Sequence, residues 1–289
     1  MKPVIIKRLN LDHVLTHDKI LFNTNNHTYS ETEAKPPDYR EIVDLGNTKN
    51  WIDLFHKDNY KTLTLDKSDL KWMNNALNIG IHTRKFSHIF DDNLKEICQK
   101  YEMPSGIPEG FNDDKWFIRT DSVSLKEGMY GPGPYDNFEN IIKSMCSTTP
   151  GHSCFKENDS ECKIYFMKWI NIDKDKEFRI FVFQNEITAI SCQNLYTINH
   201  WLNAKSDLQI SELVNNILLY FNENIKDKMK YMRNYVMDLA VLDDNSMYFI
   251  EPNSFGACYA AGSSLYHWIY DHDTLHESDT IEFRYVNEY

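Results

Sequence analysis

Apolar residues alternate with polar ones in the second half of the chain and recur at helical spacing in parts of the first. Glu177-Phe-Arg179-Ile-Phe-Val-Phe has period two, and the runs at 116–121, 163–170 and 187–191 read as further strands. Two β-rich runs flank Asp243-Asp-Asn-Ser246, a turn-forming cluster, and Gln184-Asn185 predicts another turn. Helices are predicted over 68–77, 91–101 and about 211–224, and from Asp136 through Met145, where Asp136 with Glu139 resembles a capping box. In the second of these, Leu94, Ile97 and Cys98 fall on one face. Residues 23–40 are polar and broken by Pro36-Pro37, and 103–110 carry two prolines and two glycines, a linker signal. Residues 1–60 show no clear rhythm, and the tail from Gly262 is aromatic and acidic. Strands clustered with a few helices predict an α+β chain rather than strict β-α-β alternation.

The most informative stretch is Asp238-Leu-Ala-Val-Leu-Asp-Asp-Asn-Ser-Met-Tyr-Phe-Ile-Glu251-Pro-Asn253. A hairpin closing symmetrically about Asp244 and Asn245 places Asp238 opposite Glu251. Opposed carboxylates about 5 Å apart repel by roughly 3 kcal/mol at an effective dielectric of 20. A bound cation removes that repulsion, and Asn253 adds a neutral oxygen. Two carboxylates and an amide, with no His or Cys nearby, describe a site for Mg²⁺ or Mn²⁺. The alternative has Asp238 facing solvent and Glu251 ending an edge strand. On the metal reading, removing either carboxylate should raise or hold the stability of the ligand-free protein.

At 289 residues, 42% of them hydrophobic and 13% aromatic, the chain can build a full core. Its net charge of −12 argues against binding a nucleic-acid backbone by charge. No apolar run approaches a membrane span, and the N-terminus is no signal peptide, so a soluble, cytoplasmic monomer is expected. Cys146, Cys154 and Cys162 recur every eight residues with His152 between the first two. Without a CxxC pair, reduced thiols are favoured over a zinc knot. No GxxxxGK[ST] occurs, which excludes a P-loop, and the protein-kinase signatures are missing.

Arg179 shares a strand face with Glu177, which reads as an edge ion pair or as a planar fork for a phosphate. Lys168 ends an apolar strand just before Trp169 and Ile170, the composition of an adenine slot with a phosphate-reaching lysine, or of a snorkelling surface lysine. Arg119 and Lys126 supply further positive charge, and the glycines of 122–134 would let that loop close over phosphates.

Together these segments resemble the cell division cycle protein 123 family. Lys168-Trp-Ile-Asn, Glu177-Phe-Arg179-Ile-Phe-Val and Ile187-Thr-Ala-Ile-Ser-Cys-Gln193 are similar to its KWVN, EFRVFV and ISAISQ runs. Phe117-Ile-Arg119 through Lys126-Glu-Gly is similar to its FVKLNWSAPKDA segment. Met237-Asp238-Leu and Phe249-Ile-Glu251-Pro-Asn253 are similar to its LDV and LIDFNPF pair. The resemblance implies an ATP-grasp fold, two subdomains with antiparallel sheets clamping Mg-ATP. It implies residues 1–110 as a helical, loop-rich region integral to the fold, 111–162 in the first subdomain and 163–289 in the second. Arg119, Lys126, Lys168, Trp169, Ile170, Glu177 and Arg179 would hold ATP, and Asp238, Glu251 and Asn253 the metal. Arginine at 119 stands for the family's lysine, glutamate at 251 for its aspartate, and Val-Ser-Leu for its SAP sequence. The function implied is an assembly chaperone whose protein client is the γ subunit of eukaryotic translation initiation factor 2. The alternative is an ATP-grasp ligase joining a carboxylate to an amine through an acyl phosphate. A nucleotidyl-transferring RNA ligase fails on the acidic charge and the missing KxDG motif.

Overall fold

The computed structural model describes residues 2–29, 35–102, 115–277 and 279–288. The predicted linker at 103–110 and part of the predicted loop at 23–40 lie outside them. Nine strands are described: β1 (Val4–Asn10), β2 (Tyr60–Asp66), β3 (Trp116–Arg119), β4 (Glu161–Lys168), β5 (Glu177–Phe183), β6 (Glu186–Cys192), β7 (Tyr235–Val241), β8 (Met247–Ser254) and β9 (Ile281–Asn287). The chain divides into two compact units, one made of Met1–Gly46 with Ile172–Tyr289, the other of Asn47–Asn171. The expected break at 162/163 falls inside β4, which is held in the second unit by its neighbours, and residues 1–46 join the first.

The first unit is built on a six-stranded sheet ordered β1-β9-β6-β5-β7-β8. Pairing is antiparallel among β6, β5, β7 and β8, whereas β9 runs parallel to both β1 and β6. Gln184 and Asn185 both adopt left-handed backbone, φ 49° and 65°, the geometry of a tight β5–β6 hairpin. The β7–β8 hairpin closes differently from the symmetric expectation. Its tip pairs Val241 with Met247, and a bulge between Asp238 and Leu239 then shifts the register by one. Asp238 does lie opposite Glu251, but the bulge accounts for it. The helix Asp207–Tyr220 starts earlier than expected because Ser206 and Gln209 form a capping box. Its apolar residues Ile210, Val214 and Ile217 are buried.

The second unit carries a three-stranded antiparallel sheet ordered β2-β4-β3. One face, with Leu63, Leu65, Ile118, Ile164 and Phe166, enters a core with the helices Lys67–Thr83, Asp91–Glu102 and Phe138–Met145. Asn137, not Asp136, caps the last of these by accepting from the Asn140 N–H. Cys146, Cys154 and Cys162 are buried free thiols of this core. Burial pushes the Cys162 thiol up to about 12, so these cysteines serve as packing rather than as metal-ready thiolates. Among the described residues no helix is long and apolar enough to cross a membrane.

Candidate functional site

Register brings the predicted residues of the first unit together. Arg179 lies opposite Asp238 and Asp238 opposite Glu251, so all three project from one face. The row continues through Ser191 on β6, Arg284 on β9 and Lys7 on β1, giving a polar line across all six strands. Toward one end of the same face, Phe181, Ala189 and Val236 are covered by Tyr266, Trp268 and Leu275. The polar row therefore borders a dry aromatic cluster, where charge interactions are screened less than at an open surface.

Asp238 is 2% exposed. Arg179 grips it with both arms of its fork, Nε to Oδ1 at 2.9 Å and Nη2 to Oδ2 at 2.8 Å. Its third arm, Nη1, donates to the Gly262 carbonyl at 2.7 Å. Burial pulls the Arg179 guanidinium down, but the charge and hydrogen bonds of Asp238, with the charges of Glu251 and Glu177, outweigh it and leave the pKa raised. The repulsion expected between Asp238 and Glu251 is thus offset by a cation the protein supplies itself. Sequence reading missed this pairing, because β5 and β7 are joined by a long connection and their adjacency has no local signal. It also missed Gly262. A Cβ there would stand 2.5 Å from Asn23 Oδ1 and 3.5 Å from Arg179 Nη1, so the bare backbone is what lets this segment reach the guanidinium.

Glu177 opens β5, half-buried, opposite Ala240. Asn253 lies two residues beyond Glu251 on the same face, opposite Val236. Its Nδ2 is buried and has no hydrogen-bond partner among the described residues. The open atom is an N–H donor, which suits an anionic oxygen of a ligand, while a metal would take the amide's Oδ1. Among the described residues no group of three or more His, Cys, Asp or Glu is placed to hold a metal ion. Asp238, Glu251 and Asn253 offer two carboxylates and an amide instead. That hard-oxygen set suits Mg²⁺, which keeps positions for water and phosphate oxygens.

The remaining predicted residues lie in the second unit. Arg119 is 3% exposed; its Nε donates to Thr48 Oγ1 at 2.8 Å, and its guanidinium stands 4.6 Å from the centre of the Trp51 ring. It sits opposite Tyr165, on the sheet face turned away from the core, where the helix Thr48–Phe55 packs. That helix is tied down where the Thr48 N–H donates to the Asp121 carbonyl at 2.7 Å. Lys126 is exposed on the single turn Leu125–Glu127. Lys168 is exposed at the end of β4, while Trp169 and Ile170 are half-buried, and the Trp169 N–H donates to the Lys115 carbonyl at 2.8 Å. The glycine-bearing loop does meet this segment. Gly133, at φ 117°, leaves only 3.2 Å between where a Cβ would stand and the Trp169 ring. Gly128 serves packing: its Cβ would stand 2.6 Å from the Ser144 side chain.

Residues 139–289 match the sequence model of the D123 family. A CDC123-like protein of Acanthamoeba polyphaga mimivirus is 26% identical over 235 residues, which cover 77% of this chain and 66% of that protein. The chain thus spans just under two thirds of that relative's length. The structure of Cdc123 from Schizosaccharomyces pombe matches with a TM-score of 0.54 at 13% identity, over 86% of this chain and 97% of that one. That likeness shows a common fold. D-alanyl-alanine synthetase A from Vibrio cholerae aligns more loosely, with a TM-score of 0.34 at 13% identity, over 80% of this chain and 60% of that one.

Proposed function

This chain belongs to the D123 family, and from that premise we propose that it binds Mg-ATP in the manner of an ATP-grasp protein and uses the bound state to chaperone a protein client. The observation that carries the reading is the row Arg179, Asp238 and Glu251 on one sheet face, with Asn253 two residues further along that face. Asp238, Glu251 and Asn253 would hold the metal, and the metal would supply positive charge to the β- and γ-phosphates. Arg179 directs N–H donors at the same face, and Lys168 and Lys126 are exposed cations of the second unit. Trp169 and Ile170 offer apolar surface for a base, next to the loop that carries Gly133.

The client proposed is the γ subunit of eukaryotic translation initiation factor 2, the partner that family resemblance implies. An acidic chain, net −12, suits a basic or neutral protein surface. Calorimetry of Mg-ATP against wild type and Asp238→Asn tests the nucleotide claim. Binding is expected for the first and not for the second, and equal binding removes the metal assignment. Co-purification with a recombinant γ subunit, strengthened by Mg-ATP, is the expected result for the client. ADP release on a small carboxylate and amine, with no γ-subunit capture, would replace the chaperone with a ligase.

A further inference from the structure

We infer that Arg179 makes the metal position conditional on an anionic ligand: it occupies Asp238 as a resident cation and yields part of that grip only when phosphate oxygens arrive. The inference rests on the proposed metal role of Asp238 and concerns what controls that site. Both carboxylate oxygens of Asp238 already accept from Arg179, at 2.9 and 2.8 Å, and the guanidinium is anchored on its far side by the Gly262 carbonyl at 2.7 Å. The pair is deeply buried, with side-chain exposures of 11% for Arg179 and 3% for Asp238. A divalent ion entering alone would share a carboxylate with a fixed guanidinium in a poorly screened place, and the two cations would repel.

Hydrogen bonding points the same way. With both oxygens of Asp238 taken by Arg179, a bare divalent ion must displace a hydrogen bond to bind there, whereas an ion arriving with a nucleotide brings phosphate oxygens that the guanidinium can take in exchange. The guanidinium has the means to respond. It carries five N–H donors, and three are used, on Asp238 Oδ1, Asp238 Oδ2 and the Gly262 carbonyl. The remaining two can take phosphate oxygens. Arg179 is thus a positioning residue, acting on the metal through Asp238. Metal and nucleotide should each raise the other's affinity by the same factor, about tenfold or more.

The test follows free Mn²⁺ by electron paramagnetic resonance as it is added to the full chain, with and without ADP. Wild type should take up Mn²⁺ about tenfold more weakly alone than with ADP, after subtraction of the Mn–ADP complex that forms without protein. Arg179→Met should bind Mn²⁺ alone more tightly than wild type and lose most of the ADP enhancement. Arg179→Lys, which keeps the charge without the fork, should fall between. A packing role would weaken metal binding on substitution, so the direction of change decides. If Arg179→Met does not fold by circular dichroism, the Arg179 Nε–H resonance of the wild type takes its place. It should move with Mg-ADP and stay still with Mg²⁺ alone. Wild-type uptake of Mn²⁺ equal with and without ADP, an unchanged or weaker affinity in folded Arg179→Met, or a resonance that moves with Mg²⁺ alone overturns the inference. Failure of wild type to bind Mn²⁺ under either condition overturns the metal reading beneath it.

Discussion

Asp238 and Glu251 were legible as a pair from sequence because a hairpin's register is local, and the turn cluster at 243–246 fixes it within one residue. Arg179 was legible as a cation on an apolar strand, read as an edge ion pair or a phosphate fork, but its partner was not, since β5 reaches β7 only through the assembled sheet. The omission reverses one expectation. Taking Asp238 as half of a repelling pair, its neutralisation should have raised or held stability without ligand. With Arg179 bound to it through two hydrogen bonds at 2.9 and 2.8 Å, the opposite follows. Asp238→Asn leaves a buried guanidinium uncompensated, and removing one partner of a buried ion pair destabilises by about 3–5 kcal/mol. Urea denaturation of the ligand-free protein should show a loss of that order. Adding Arg179→Met to Asp238→Asn should recover much of it, because the stranded charge goes too. A single variant as stable as wild type would mean the pair contributes nothing.

The elements found from sequence were those with strong local grammar: the period-two strands, the helix 91–102 and the turn at 184–185. Those missed or misplaced depend on less local signals, such as the Ser206 to Gln209 capping box and β9 within an aromatic tail. Two predictions belong at this scale. In the helix Lys67–Thr83, a Cβ on Gly80 would stand 1.8 Å from the Cys146 carbonyl oxygen, a backbone atom that cannot rotate away. Alanine gains about 1 kcal/mol of helix propensity, but overpacking costs about 1–3 kcal/mol and more against backbone. The clash should win, and Gly80→Ala should lower the urea midpoint. Gly151→Ala, with nothing within 4 Å of its Cβ, should leave it in place. In the segment after Gly262, His267 Nδ1 accepts from the Ile269 N–H at 3.1 Å and the Tyr270 N–H at 3.0 Å. Burial lowers its pKa below the ordinary 6.5, with Asp271 opposing that shift. The unfolded chain therefore takes up this proton first, and the contribution is whole above pH 6.5 and shrinks as pH falls below it. Melting temperature should decline on acidification from that point. His267→Gln should melt lower at pH about 8 and show a shallower decline, whereas an unaltered slope would show that His267 is not the group responsible.

For the whole molecule, the α+β class and antiparallel pairing were readable, because strand runs outnumber helices after residue 160 and the β5–β6 and β7–β8 links are short. The division into units was not. The first unit draws on both ends of the chain, Met1–Gly46 and Ile172–Tyr289, and its β1 and β9 pair in parallel across nearly the full sequence length. No local pattern in residues 4–10 announces a partner so far away, which is why the N-terminal region could not be placed from sequence. The second unit carries Arg119, Lys126 and Lys168 to Ile170, and the first carries Glu177, Arg179 and the proposed metal ligands. Lys168→Met should weaken ATP more than adenosine, since a charged hydrogen bond contributes about 1.5–3 kcal/mol, and equal losses by calorimetry would take Lys168 off the phosphates. The central claim is that metal and nucleotide bind together at Asp238, Glu251 and Asn253. A ligand at about 100 times its dissociation constant that binds only the native state adds roughly 2.7 kcal/mol, or about 5–10 °C in melting temperature at this chain length. Differential scanning fluorimetry with ATP and Mg²⁺, with ATP and EDTA, and with Mg²⁺ alone measures it most directly. The account predicts the full shift for the first and little for the other two; an equal shift with and without metal, or no shift at all, would contradict it.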